Sequence, residues 1–214
     1  MLELETPRGP ARAHLDLLEG AAAAVVLGHG AGGGVEAADL LAATRAAAAA
    51  GLSVARVEQP YRVAGRRSPA PAGHLDEAWS AAVAALMDGP LLGLSLIAGG
   101  RSLGARVACR TAAELGATAV ICLAFPVHPP GRGDDPSKSR LGELDAVEVP
   151  VLVVQGKSDP FGMPSKAPGR TVTTIDGNHS LRDADAVEAA GALWLAELGY
   201  SSADRRSAAA RSGG

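Results

Sequence analysis

Aromatic side chains make up only 3% of this sequence, two each of Trp, Tyr and Phe. So few rings cannot build a base-stacking platform or a large aromatic cage. Cysteine is as scarce. Cys109 and Cys122 are the only two, too few for a disulfide framework, and their apolar neighbours mark them as buried free thiols. No apolar run approaches the ~18 residues of a membrane span. The opening MLELETPRGPARAHLDLLEG lacks the apolar core of a signal peptide. Charge of one sign is missing too: the net charge is −3 and no basic stripe occurs, which excludes nucleic acid or an anionic membrane as the main partner. A cytoplasmic protein with no nucleic-acid and no membrane partner is expected. The composition fixes no oligomeric state.

What is present is a chain of 214 residues, 47% apolar, enough for a single domain over residues 1–200 with a sizeable core. The tail 201–214, SSADRRSAAARSGG, has no periodicity and is expected to be disordered. Segments 2–5 and 13–18 flank a Pro/Gly turn and read as a weak hairpin. Apolar runs at 22–27, 52–57, 91–98, 119–124, 149–155 and 171–175 read as buried strands. Between them, 35–50, 75–87, 103–115 and 184–198 read as helices, several of them stopped by Gly. Segment 59–73 is a polar, Pro/Gly-rich loop. Strands alternating with helices predict an α/β fold: right-handed βαβ units and a mainly parallel sheet flanked by helices. Continuous apolar strands fit a sheet covered on both faces.

The stretch VVLGHGAGGG, residues 25–34, admits two chemistries. Gly28 to Gly33 fits G-x-G-x-x-G, a dinucleotide fingerprint, and Glu58 at the end of the next strand stands where a ribose-binding acid would lie. Alternatively, His29-Gly30-Ala31-Gly32 is a loop that supplies an oxyanion donor.

A second glycine motif favours the latter. Gly100-Arg101-Ser102-Leu103-Gly104 is G-x-S-x-G between a predicted strand and a predicted helix, the setting that makes a serine project above a sheet. A serine needs a base, and in this arrangement the chain order is Ser, acid, His. Of five histidines only His128 and His179 follow Ser102. Asp159, just past the strand 149–155, lies between Ser102 and His179, whereas Asp134 and Asp135 sit in a solvated loop. Ser102, Asp159 and His179 therefore each follow the carboxyl end of a predicted strand, where open α/β sheets bind ligands. The N–H of Leu103 and that of Ala31 are the natural oxyanion donors. A dinucleotide site would leave GRSLG, SDPFG and GNHS without a role.

Together GHGAGG, GGRSLGARVA, FPVHPPG, VPVLVVQGKSDPFG and GNHS resemble the α/β-hydrolase superfamily over about residues 25–198. More narrowly they are similar to its small, capless dienelactone-hydrolase-like branch. Within it they resemble the family containing testis-expressed protein thirty and a subunit of the NSL histone-acetylation complex. The resemblance implies Ser102 as nucleophile, Asp159 as acid, His179 as base, and Ala31 and Leu103 as oxyanion hole. Dienelactone hydrolases proper carry a cysteine at the elbow, so their lactone substrate does not carry over to Ser102. One branch of the family serves as a complex subunit, which keeps a non-catalytic interaction module as a rival to an enzyme.

The resulting expectation is a serine hydrolase of a small ester or thioester, with no cofactor and no metal. A connection of about 24 residues between strands 119–124 and 149–155 is too short for a large cap domain. Arg101 inside the elbow and His128 near the site mouth are candidates to hold a substrate carboxylate, although Arg101 suits a structural salt bridge as well. Phe161, with Met163, is a candidate for the acyl pocket or for loop packing.

Overall fold

The computed structural model of the chain describes residues 1–200. The tail expected to be disordered, 201–214, lies outside the described residues. Two short strands, β1 (Leu2–Leu4) and β2 (Ala11–Asp16), form the N-terminal hairpin. Six more follow: β3 (Ala23–Gly28), β4 (Ser53–Glu58), β5 (Ser95–Arg101), β6 (Ala119–Leu123), β7 (Val151–Gly156) and β8 (Arg170–Ile175). All eight make one sheet in the order β1-β2-β4-β3-β5-β6-β7-β8. The hairpin docks antiparallel on β4 and the rest is parallel.

The apolar runs serve two faces by alternation. Val26, Ala98, Val120, Cys122 and Val153 face α3 (Ala72–Met87) and α4 (Leu103–Thr111), where Trp79, Leu86 and Val107 complete the core. Val25, Leu27, Ile97, Ile121 and Val154 face α1 (Ala38–Ala50) and α6 (Ala184–Glu197), with Leu40, Ala47, Val187 and Trp194. With both faces covered, a strand has no polar side to show. The alanines of α1 permit close packing: a Cβ on Gly191 of α6 would stand 3.2 Å from that of Ala46. Gly51, at φ 91°, ends α1 by donating its N–H to Ala47 and Ala48 carbonyls.

Some boundaries differ from expectation. The strand expected from residue 91 starts at Ser95, because Gly89-Pro90 and Gly93 (φ 80°) turn the chain and seat Leu91 in the core. The loop 59–73 contains a one-turn helix, α2 (Pro60–Val63), with proline at its first position, where its missing N–H costs nothing. Helix α4 ends at Thr111 rather than at 115. Residues 124–150 hold only a 3₁₀ turn (Pro136–Lys138) and the short α5 (Leu141–Asp145), so no cap domain is inserted between β6 and β7. Among the described residues no helix is long and apolar enough to cross a membrane.

Candidate active site

Strand β5 ends at Arg101 and α4 begins at Leu103, so Ser102 alone makes the turn. Its backbone lies at φ 51°, ψ −105°. Such a conformation costs an L-residue about 1–3 kcal/mol and persists only where the surroundings impose it. They do. The Ser102 N–H donates to the Leu123 carbonyl at 2.8 Å, tying the turn to β6. A Cβ on Gly100 would lie 2.5 Å from the Gly28 carbonyl oxygen, and one on Gly104 would meet the same carbonyl group. Only glycine at both positions lets the first turn of α4 pack against the end of β3.

The chain carries two more groups to this spot. After β7, Asp159 is a buried carboxylate. Its Oδ1 accepts the Phe161 N–H at 2.9 Å and its Oδ2 accepts Gln155 Nε2 at 2.8 Å. After β8, His179 places Nδ1 2.9 Å from Asp159 Oδ2 and Nε2 2.9 Å from Ser102 Oγ. A carboxylate can only accept, so Nδ1 carries the proton and the lone pair of Nε2 faces the hydroxyl. The Asp159 and His179 loops interlock closely, since a Cβ on Gly156 would lie 2.5 Å from the Asn178 carbonyl oxygen. The Phe161 ring stacks on the imidazole, centroids 4.1 Å apart and planes 29° apart.

The loop after β3 passes beside Ser102, since a Cβ on Gly30 would lie 3.7 Å from that of Ser102. His29 is buried; its Nε2 accepts the Gln59 N–H at 3.1 Å and its Nδ1 donates to the Gly30 carbonyl at 2.9 Å. A ring that accepts at Nε2 is neutral, and burial pushes its pKa below the usual histidine value. The Ala31 carbonyl accepts the Tyr61 hydroxyl at 3.2 Å, which fixes the plane of the loop. Leu103 opens α4, where its N–H has no partner within the helix by position.

The other candidates are placed as follows. Arg101 donates through Nε to the buried Asp39 at 2.7 Å and through Nη2 to the His179 carbonyl at 3.1 Å. His128 uses Nδ1 on the Pro129 carbonyl at 2.8 Å, and its N–H donates to the Phe161 carbonyl at 3.0 Å, so it braces the loop after Asp159. Met163 is partly exposed beside that loop. Glu58 lies 3.7 Å from His14 at the hairpin. Cys109 and Cys122 are free, buried thiols with sulfurs 3.5 Å apart. The contact with Cys109 and burial push the Cys122 thiol well up, so it stays protonated.

Sequence reasoning missed Asp39, Gln155 and Tyr61. Gln155 carried a signal, a lone amide ending the apolar run VPVLVVQ. Asp39 and Tyr61 carried none, because their partners lie far away in the chain.

Against known proteins, the α/β-hydrolase domain family matches residues 21–191. No curated protein matches the chain. Solved structures do. A lid-less α/β serine hydrolase from Xanthomonas campestris is 22% identical at a TM-score of 0.68, covering 90% of this chain and 93% of that one. Est1E from Butyrivibrio proteoclasticus, solved with ferulic acid, is 17% identical at 0.71, covering 92% and 98%. A dienelactone hydrolase from Anabaena variabilis is 18% identical at 0.70, covering 92% and 95%. At such identities the structural likeness carries the fold, and the match over residues 21–191 carries the membership: this chain belongs to the α/β-hydrolase domain family.

Proposed function

We propose that the protein is a serine hydrolase that cleaves a small ester or thioester through an acyl-enzyme formed on Ser102. The observation that supports this is the chain of two 2.9 Å contacts, Ser102 Oγ to His179 Nε2 and His179 Nδ1 to Asp159 Oδ2. Oγ attacks the carbonyl carbon while its proton passes to Nε2. Asp159 orients the ring and stabilises the imidazolium. The N–H groups of Ala31 and Leu103 receive the oxyanion; losing one such donor typically costs ~10²–10³ in rate. Collapse breaks the ester bond, and the leaving oxygen or sulfur takes the proton from Nε2. Water then repeats the sequence and frees the acid.

An uncapped sheet suits a small or surface-presented substrate, with Phe161 beside the acyl group. The motif set supports a narrower place in the dienelactone-hydrolase-like branch, near the testis-expressed protein thirty and NSL-subunit family. A cytoplasmic location accords with the scarcity of cysteine.

Hydrolysis of p-nitrophenyl acetate and butyrate tests the reading, with Ser102→Ala as control. Wild type turns over and labels with a fluorophosphonate probe; Ser102→Ala does neither. Equal rates for the two proteins reject the enzyme and leave the interaction module.

A further inference from the structure

Asp39 is an acid in the first turn of an alanine-rich helix, its side chain 1% exposed. Burial pushes its carboxyl group up, against the pull of Arg101. Its Oδ1 accepts the Leu40 N–H at 2.9 Å and its Oδ2 accepts Arg101 Nε at 2.7 Å. A buried ion pair of this kind is weak evidence for stability, since apolar replacements often serve as well. The other arms of Arg101 point to a different role. Nη2 donates to the His179 carbonyl at 3.1 Å. Nη1 stands close to Gly30 in the loop after β3, where a Cβ on Gly30 would be 2.8 Å from it. Arg101 is also the residue directly before Ser102.

One guanidinium therefore bonds Asp39 of helix α1 and the main chain of His179, and stands close beside Gly30 in the loop after β3. We propose that Asp39 and Arg101 form a positioning pair that holds His179 and the Ala31 loop at a set distance from the Ser102 hydroxyl. Asp39 fixes the rotation of the planar fork. Arg101 uses the planar fork to bond Asp39 and the His179 carbonyl while packing beside Gly30, which the compact ammonium of a lysine cannot reproduce. With Nε and Nη2 so engaged, Arg101 acts through the residues it holds. The inference rests on the Ser102–His179–Asp159 reading.

Arg101→Met, Arg101→Lys, Asp39→Ala and Asp39→Asn test it with p-nitrophenyl butyrate, each rate divided by the fraction of enzyme that the fluorophosphonate probe titrates. An imidazole displaced by about 1 Å costs on the order of 10²-fold. Arg101→Met is expected to lose about that much in kcat with KM nearly unchanged. Lysine is expected to restore little, and Asp39→Asn, which keeps an acceptor for Nε, to be milder than Asp39→Ala. The second readout needs no turnover: the Cε1–H resonance of His179 in histidine-labelled protein, assigned by its loss in His179→Gln. It is expected to shift and broaden in Arg101→Met and Asp39→Asn. Variants that lose thermal stability while keeping kcat and this resonance overturn the proposal. If wild type cleaves no ester, the hydrolase reading fails and the resonance alone decides the pair. If Arg101→Met does not fold, Asp39→Asn carries the decision.

Discussion

Gly156→Ala adds one methyl group and is expected to disable the site without touching any of its three side chains. Gly156 ends β7, pairs with Ile175 and needs no unusual backbone angle. The new Cβ would stand 2.5 Å from the Asn178 oxygen and 2.8 Å from both the Asn178 carbon and the Gly177 oxygen. Ordinary contact begins at 3.4 Å, so the shortfall is about 0.9 Å, and every atom in the way is backbone. The next residue is His179, held 2.9 Å from each partner. A shift of that size stretches those bonds to about 3.8 Å, beyond the ~3.2 Å at which such bonds end. Misplacement on this scale costs on the order of 10²-fold in kcat, or ~2.7 kcal/mol of barrier. Overpacking removes about 1–3 kcal/mol of stability, a fall in Tm of roughly 2–4 °C per kcal/mol for a domain of this size. The assay is p-nitrophenyl butyrate turnover per probe-titrated site, beside the melting curve. Gly142→Ala is the control: it lies in α5 with nothing within 4 Å of the added Cβ, and about 0.5–1 kcal/mol is gained there. A folded Gly156→Ala enzyme with kcat within about threefold of wild type refutes the reasoning, because the expected loss is ~10²-fold.

Two further outcomes are expected. His29 is buried neutral with its pKa pushed below 6.5, chiefly by burial. The unfolded chain therefore takes the proton first: this stability is fully present above pH 6.5 and is lost as pH falls through the buried value. Urea midpoints from pH 8 to 5 fall for wild type and fall less for His29→Gln; parallel profiles contradict the assignment. Gln155→Leu removes the amide that donates to Asp159 Oδ2 and to the Phe125 and Gly162 carbonyls. Leaving the Phe125 and Gly162 carbonyls unpaired costs about 1–3 kcal/mol, and kcat falls as the carboxylate loses one of its three anchors. A melting point and kcat equal to wild type's refute that role.

The sheet was legible because its strands are unbroken apolar runs. The elbow was legible because the two glycines that its packing demands sit two residues either side of Ser102. Chain order pointed to Asp159 and His179 because loops at the carboxyl ends of parallel strands converge by topology. The turn at 91–94 was not legible: its leucines look like strand, and only the burial of Leu91 against the end of α3 shows why the chain turns first. Nor was Asp39. An acid in a run of alanines looks like a solvated position until α1 is laid on the sheet and Arg101 is found across 62 positions of chain. Single sequences encode periods and order well; they do not encode which distant side chains share a buried charge.

The strand order has a consequence for synthesis. From β6 onward each strand joins the outer edge of its predecessor, and α6 closes the face begun by α1. Ribosomes add about 5–20 residues per second, so several seconds separate the emergence of the serine from that of the imidazole. On the proposed reading, a nascent chain that has not yet reached β8 carries the Ser102 hydroxyl without the imidazole that would take its proton.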